Sequence, residues 1–229
     1  MTTGPAWPPP GLPAKPPGVE RILLIGAGAI GAAQLPSFVG MLKFGYGFDV
    51  AVCLTAAGRD FVSPRALAAL TGRPVVPPDW PAESGPAHVE WADWAQGVIV
   101  WPATLNFLSR CAFGLADSLP AAIVLSTTAP VVFAPSVAAG AAEGGPLRRA
   151  LRVLRQDGHG VVGPVMGHAV STGELSPGAC APPEAVVEEL TTRLRASTSV
   201  PAEEESATHV RHRVQDAAER AEDTAHDAV

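Results

Sequence analysis

Cysteine is scarce in this chain: Cys53, Cys111 and Cys180 are the only three in 229 residues. No two stand at CxxC spacing, which excludes a zinc ribbon and a disulfide framework. A surplus of positive charge is also missing. Against 22 Asp and Glu stand 16 Lys and Arg, for a net charge of -6, so no basic stripe is available to displace counterions from nucleic acid. No apolar run approaches the ~20 residues of a membrane span. The N-terminus carries proline rather than an apolar signal core. The expectations that follow are no metal site, no nucleic acid, no membrane, and a reducing, cytoplasmic setting.

What is present is apolar and punctuated. Hydrophobic residues make up 47%, enough for one sizeable core. Residues 1–18 are proline-rich and read as a disordered or polyproline arm. Residues 19–196 hold the patterned domain. From 197 to 229 the chain is polar, with Glu203, Glu204 and Glu205 in a row, and reads as a mobile tail. Within the domain, short buried-strand patterns fall at Arg21–Gly26, Asp49–Thr55, Gly97–Trp101, Ala122–Ser126, Val131–Ala134 and Gly160–Val162. Helical patterns fall at Gly31–Phe44, Asp60–Leu70, Leu105–Ser118 and Leu147–Gln156. Alternation of this kind predicts a single-domain α/β fold, a doubly wound parallel sheet with helices on both faces. Ligands then bind outside the carboxyl ends of the strands, at the loops after Ile25, Leu54, Trp101, Leu125 and Ala134.

The first of these loops reads Gly26-Ala27-Gly28-Ala29-Ile30-Gly31, a GxGxxG after a strand. Backbone N–H groups there suit a phosphate. A nicotinamide dinucleotide also needs an acid at the end of the second strand. That strand closes on Cys53-Leu54-Thr55, so a hydroxyl stands where the acid would be. A tightly packed structural turn is the other reading of the glycines.

Two further segments carry a resemblance. His88 precedes Trp91-Ala92-Asp93-Trp94-Ala95, and Pro102-Ala103-Thr104-Leu105-Asn106 opens a helix that continues to Gly114-Leu115-Ala116-Asp117. In order and spacing these resemble the homo-oligomeric flavin-containing cysteine decarboxylases over residues 21–195, together with Val52–Thr55 and Phe61. The resemblance implies a Rossmann-like flavoprotein fold and a flavin, FMN or FAD. It places the cofactor against Gly26, Ala27, Gly28, Ala29, Ile30, Thr55, Phe61, Pro102, Ala103, Thr104, Asn106 and Ser126. Catalysis falls to His88, as the base for a thiol proton, and to Asn106, orienting substrate or flavin atoms. Substrate contacts fall to Pro135, Ser136, Glu174 and Leu175. His159 and His168 receive no role, and the cysteines at 53 and 111 read as packing.

Departures from the family pattern narrow the branch. Ile30 replaces the usual serine of the first turn, which leaves flavin binding to backbone groups. Ala138 replaces a substrate-contacting asparagine. In the lid, about Gly167 to Pro182, Pro177 stands where coenzyme A-pathway members carry a reducing cysteine, and Cys180 lies three residues on. The lantibiotic-type peptidyl-cysteine branch is implied. Its reaction is oxidative decarboxylation of the C-terminal cysteine of a ribosomally made precursor peptide, giving an enethiol for aminovinyl-cysteine formation. The implied partners are that peptide and further copies of the chain, in a trimer or a dodecamer of trimers. The alternatives are a decarboxylase of a small cysteine conjugate such as phosphopantothenoylcysteine, and a non-catalytic flavin-binding regulatory protein.

Overall fold

The strands form where apolar residues are buried on both sides. In β1 (Arg21–Gly26) and β2 (Asp49–Leu54) every residue after the first is buried, and β3 (Gly97–Ala103) and β4 (Val131–Pro135) are buried throughout. This computed structural model describes residues 8–9, 11–81, 85–170 and 172–199. With the short β5 (Gly160–Val161), these strands make a parallel sheet in the order β2-β1-β3-β4-β5. Alternate side chains serve opposite faces, as strand geometry requires. Leu23, Ile25, Val98, Val100 and Phe133 face one core cluster. Ile22, Leu24, Ile99, Trp101 and Val132 face the other.

Helices cover both faces. On the first lie α3 (Ala87–Trp94), α4 (Leu105–Ala112), α5 (Leu119–Ser126) and α7 (Gly145–Gln156), after the short α6 (Ala139–Ala142). On the second lie α1 (Leu35–Gly40), α2 (Pro64–Thr71) and α8 (Pro183–Ser199). Val186, Val187, Leu190 and Leu194 of α8 form an apolar stripe at helical spacing and are buried. A separate antiparallel hairpin, β6 (Val165–His168) and β7 (Leu175–Ala179), stands beyond the sheet.

Several expected elements differ. The helix expected over Gly31–Phe44 is a continuous run of three parts: a 3₁₀ turn (Ile30–Gln34), α1, and a π turn (Met41–Gly45). The helix expected to reach Ser118 stops at Ala112, where Gly114 takes a φ of 69°. The expected strand at Ala122–Ser126 is instead helix α5, with Pro120 in its first turn. Residues 119–124 are all buried. A helix apolar all round shows no helical stripe, so its run of apolar residues looks like a buried strand.

The chain divides into a body ending at Arg195 and a unit from Ala196 onward. Most of the 197–229 tail lies outside the described residues. Of the arm, residues 1–7 and 10 also lie outside them. Its last residues are held to the body: Lys15 Nζ pairs with Glu20 Oε2 at 2.5 Å, and Arg195 donates to the Ala14 carbonyl at 3.1 Å. Among the described residues no helix is long and apolar enough to cross a membrane.

Candidate active site

In a 2-1-3-4-5 sheet the chain reverses direction of winding between β1 and β3, and the loops on either side diverge to leave a crevice. Here the loops after β1, β2 and β3 meet at that crevice. The Ala27 N–H donates to the Pro102 carbonyl (3.1 Å), and the Thr55 N–H donates to the Gly26 carbonyl (3.0 Å). Packing is tight enough that side chains are excluded. A Cβ on Gly28 would lie 2.5 Å from the Ala57 Cβ, and one on Gly58 would lie 2.4 Å from the Gly26 carbonyl oxygen. The N–H groups of Gly28, Ile30 and Gly31 find no carbonyl among the described residues. Three donors at the start of a helical turn, beside a strand end, suit a phosphate. The side chain of Ile30 is 54% exposed and offers no hydroxyl, so any anion there is held by backbone alone.

Thr55 is half-buried. Its Oγ1 accepts the Gly58 N–H at 3.1 Å and donates to the Gly26 carbonyl at 3.4 Å, so the hydroxyl ties the second loop to itself and to the first. Thr104 caps α4 by accepting the Phe107 N–H at 3.4 Å. Gly26, Ala27, Gly28, Ala29, Ile30, Thr55, Pro102, Ala103 and Thr104 thus sit around one crevice, or on the strand ends and caps that form it. Phe61 is 39% exposed and follows the 3₁₀ turn Ala57–Asp60.

Ser126 is displaced from the crevice, to the wrong end of the sheet. It ends a helix that returns the chain to the amino end of β4, where Thr127 Oγ1 donates to the Ala92 carbonyl at 3.0 Å. The N-cap of α4 is Thr104. Asn106 is exposed, and its Oδ1 accepts from Arg110 Nε at 3.2 Å, one turn on.

Beside the crevice lies a cavity of 770 Å³. One wall comes from Ile30, Gly31, Gln34 and Trp101. A second is the chain after β4, Ser136 to Ala139. The hairpin closes it with Gly167–Val170, Glu174 and Ser176–Ala179, followed by Cys180. The hairpin is tied to the second wall by the Val137 N–H, which donates to the Gly178 carbonyl at 2.9 Å. Trp101 is anchored by its Nε1–H to the Ala181 carbonyl at 2.8 Å, and packs edge-on against Phe38. Ser136 and Glu174 therefore fall on the cavity as expected. Pro135 ends β4 in register with Ala103 and is buried outside the wall. Leu175 is 63% exposed and outside it as well.

The two histidines of interest are held in opposite ways. His88, half-buried at the start of α3, is not in the cavity wall. Trp80 Nε1 lies 3.4 Å from its Nδ1. An indole nitrogen only donates, so Nδ1 accepts and Nε2 carries the proton. His168 does line the cavity. Its Nδ1 is 2.8 Å from the Gly173 carbonyl oxygen, which only accepts, so Nδ1 carries a proton. Cys180 is also in the wall. Burial pushes its thiol up to about 12, and its S–H points to the Ala134 carbonyl at 3.5 Å. His168, Cys180, Gln34 and Ala139 were not among the expected contacts. His168 and Cys180 gave a weak signal because the hairpin and the residue after it join the site only through folding, across more than 130 residues from the first loop.

A model of the family described as Flavoprotein matches residues 14–195. The coenzyme A biosynthesis bifunctional protein CoaBC of Escherichia coli strain K12 is 33% identical over 171 residues, covering 74% of this chain and 42% of that protein. The chain thus spans about two fifths of the length of the curated relatives it matches. Among solved structures, the FMN-dependent cysteine decarboxylase SpaF is 28% identical with a TM-score of 0.67, covering 77% of this chain and 97% of that one. The FMN-dependent cysteine decarboxylase TvaF, from thioviridamide biosynthesis, is 26% identical with a TM-score of 0.61, covering 64% and 91%.

Proposed function

The chain belongs to the flavoprotein family, its cofactor is a flavin, and from that premise we propose that it decarboxylates the C-terminal cysteine of a ribosomally made precursor peptide. The observation that carries the reading is the chemistry of the cavity wall. Among the described residues it contains no Lys or Arg, and its one carboxylate is Glu174. A dianionic phosphate, such as a phosphopantothenoyl substrate carries, needs charge-assisted partners when taken from water. A peptide is neutral along its backbone and brings a single anion, its terminal carboxylate, where the phosphopantothenoyl substrate brings the same carboxylate and a dianionic phosphate as well. Its terminal carboxylate enters among Trp101, Val137 and Ala138 and loses hydration, which favours its departure as CO₂.

FMN is the flavin we propose, on the likeness to SpaF and TvaF, which are FMN-dependent. Its phosphate would take the free N–H groups of Gly28, Ile30 and Gly31. When bound, the flavin supplies the electron sink that loss of CO₂ from a cysteine requires. The chain's own residues hold the substrate: the hairpin covers one side of the cavity, and Ser136 and Glu174 offer polar groups to the peptide. His88 lies outside this chain's cavity. We place it at a neighbouring copy's site in a homo-oligomer, donating through Nε2–H.

A second reading is supported by the 33% identity to CoaBC: decarboxylation of a small cysteine conjugate. The two separate by product. The purified chain, incubated with FMN and a peptide ending in cysteine, should lighten the peptide by about 46 Da, the sum of CO₂ and two hydrogens. A loss of CO₂ alone, or turnover of phosphopantothenoylcysteine in preference to the peptide, would transfer the chain to the second reading. No mass change with either substrate would end both.

A further inference from the structure

We propose that Glu174 sets the specificity of the cavity: the peptide it takes carries a lysine or arginine shortly before its C-terminal cysteine, and that cation meets the Glu174 carboxylate. This rests on the reading of the cavity as the place where a peptide's terminal cysteine is decarboxylated. The observation behind it is a single carboxylate on a wall with no Lys or Arg. The crevice wall and the wall after β4 hold no Asp, Glu, Lys or Arg, and Glu174 is the one carboxylate on the hairpin wall. Among the described residues it forms no ion pair. Its neighbour His168 gives the Nδ1 proton to the Gly173 carbonyl instead. No cation of this chain on the cavity wall therefore competes for the carboxylate.

The charge is carried by a closed turn. The Ala169 N–H donates to the Glu174 carbonyl at 2.8 Å, and the Gly173 N–H donates to the Ala169 carbonyl at 2.7 Å. The Glu174 N–H donates to Thr172 Oγ1 at 3.3 Å. Gly173 takes a φ of 73°, where L side chains are strained. The backbone of Glu174 is thus fixed at the rim while its side chain is exposed. An exposed ion pair contributes up to about fivefold in affinity, and reversing one sign replaces attraction by repulsion.

Size and charge together orient the peptide. At 770 Å³ the cavity falls within the roughly 300–1,000 Å³ of small-ligand pockets, so it takes the last few residues and not a long stretch. The terminal carboxylate is repelled by Glu174 and goes to the uncharged walls beside the crevice. The residues before it then pass the hairpin, where the Glu174 carboxylate stands. A lysine or arginine there meets the opposite charge, and an aspartate or glutamate meets a like one. The selection is a difference between two affinities, built from an attractive and a repulsive element on one side chain.

The test uses the full chain loaded with FMN and peptides ending in cysteine, with lysine, glutamine or glutamate placed in turn at each of the positions just before it. At one of those positions kcat/KM should rank lysine above glutamine above glutamate. The span from lysine to glutamate should be on the order of tenfold at low salt and should shrink at high salt. Glu174→Gln should collapse the ranking, and Glu174→Lys should invert it, with flavin content as in wild type. Inversion separates charge recognition from a loosened hairpin, which would slow all the peptides alike. Equal rates for the three peptides at every position, or a ranking that Glu174→Lys leaves unchanged, would overturn the assignment. Turnover of none of the peptides would sink the proposed function instead. Fluorescence anisotropy of labelled peptides ending in serine then decides. Binding in the same order, inverted by Glu174→Lys, upholds the assignment, and absent or charge-blind binding overturns it.

Discussion

The two sides of the cavity are built on different principles. The crevice side consists of loops that leave the ends of buried strands, and its backbones touch: Gly58 packs on Gly26, and Gly28 on Ala57. The hairpin side is two strands with exposed apolar residues, Met166 at 57%, Val170 at 76% and Leu175 at 63%. A lone hairpin is marginal in water, and this one is held by a bond from Val137 and by its own turn. The lesson is a division of labour. Under the proposed function, the rigid side would hold a cofactor that stays, and the looser side a substrate that must enter and leave.

Breaking the rigid side should have the largest effect. Gly58→Val sets a Cβ against the Gly26 carbonyl, which is backbone and cannot turn aside. Overpacking costs about 1–3 kcal/mol, and here it also displaces the first loop. The purified variant should be colourless, with flavin absorbance per chain near zero. A fully yellow Gly58→Val would mean that the interlocked loops do not hold the flavin.

A change of equal steric severity on the other side should be milder and different in kind. A Cβ on Gly167 would lie 2.4 Å from the Ala179 Cβ across the hairpin. Gly167→Val should therefore shift the pairing of β6 and β7 and lower peptide turnover roughly tenfold, equivalent to about 1.4 kcal/mol. Its flavin absorbance should match wild type. Loss of flavin in this variant would dissolve the distinction between the two sides.

The smallest effects concern the thiols, one of which lies on the boundary. Cys180 is on the cavity, yet a thiol held up at about 12 yields its proton reluctantly. Cys180→Ser should leave the peptide product lighter by the same mass, and a changed product would make Cys180 a participant. Burial raises all three thiols above their ordinary value of 9.0, with Cys111 also at about 12. The unfolded chain loses these protons first as pH rises, so stability is full below about 9 and declines from there toward 12. The thermal midpoint should follow that course, with a shallower alkaline decline in Cys111→Ala. A midpoint that rises between pH 9 and 11 would contradict the burial of these thiols.

Legibility in the sequence followed the same division. The crevice side could be read, because Gly26–Gly31, Thr55 and Pro102–Thr104 each follow a strand whose apolar run is plain. Where reading failed, a physical reason is visible. Residues 119–126 are apolar on every side, so strand and helix look alike until Pro120 and the sheet order are known. Ser126 was misplaced as a direct consequence. The cap of α4 falls on Thr104, and Asn106, two residues on, is exposed and accepts from Arg110. The hairpin side was legible only as a Gly- and Pro-rich stretch.

By itself, then, the sequence determined where the buried strands lie, that strands and helices alternate, and that a glycine turn follows the first strand. Those are local properties, written in hydrophobic spacing and in glycine. Only the tertiary structure decided which histidine borders the cavity and whether the Nδ1 of each ring carries a proton. That is set by the partner across the hydrogen bond. His88 meets an indole that can only donate, and His168 meets a carbonyl that can only accept. Each partner is set in place by the folded backbone: by the strained turn at Gly173 for one ring, and by the chain that brings Trp80 back against α3 for the other.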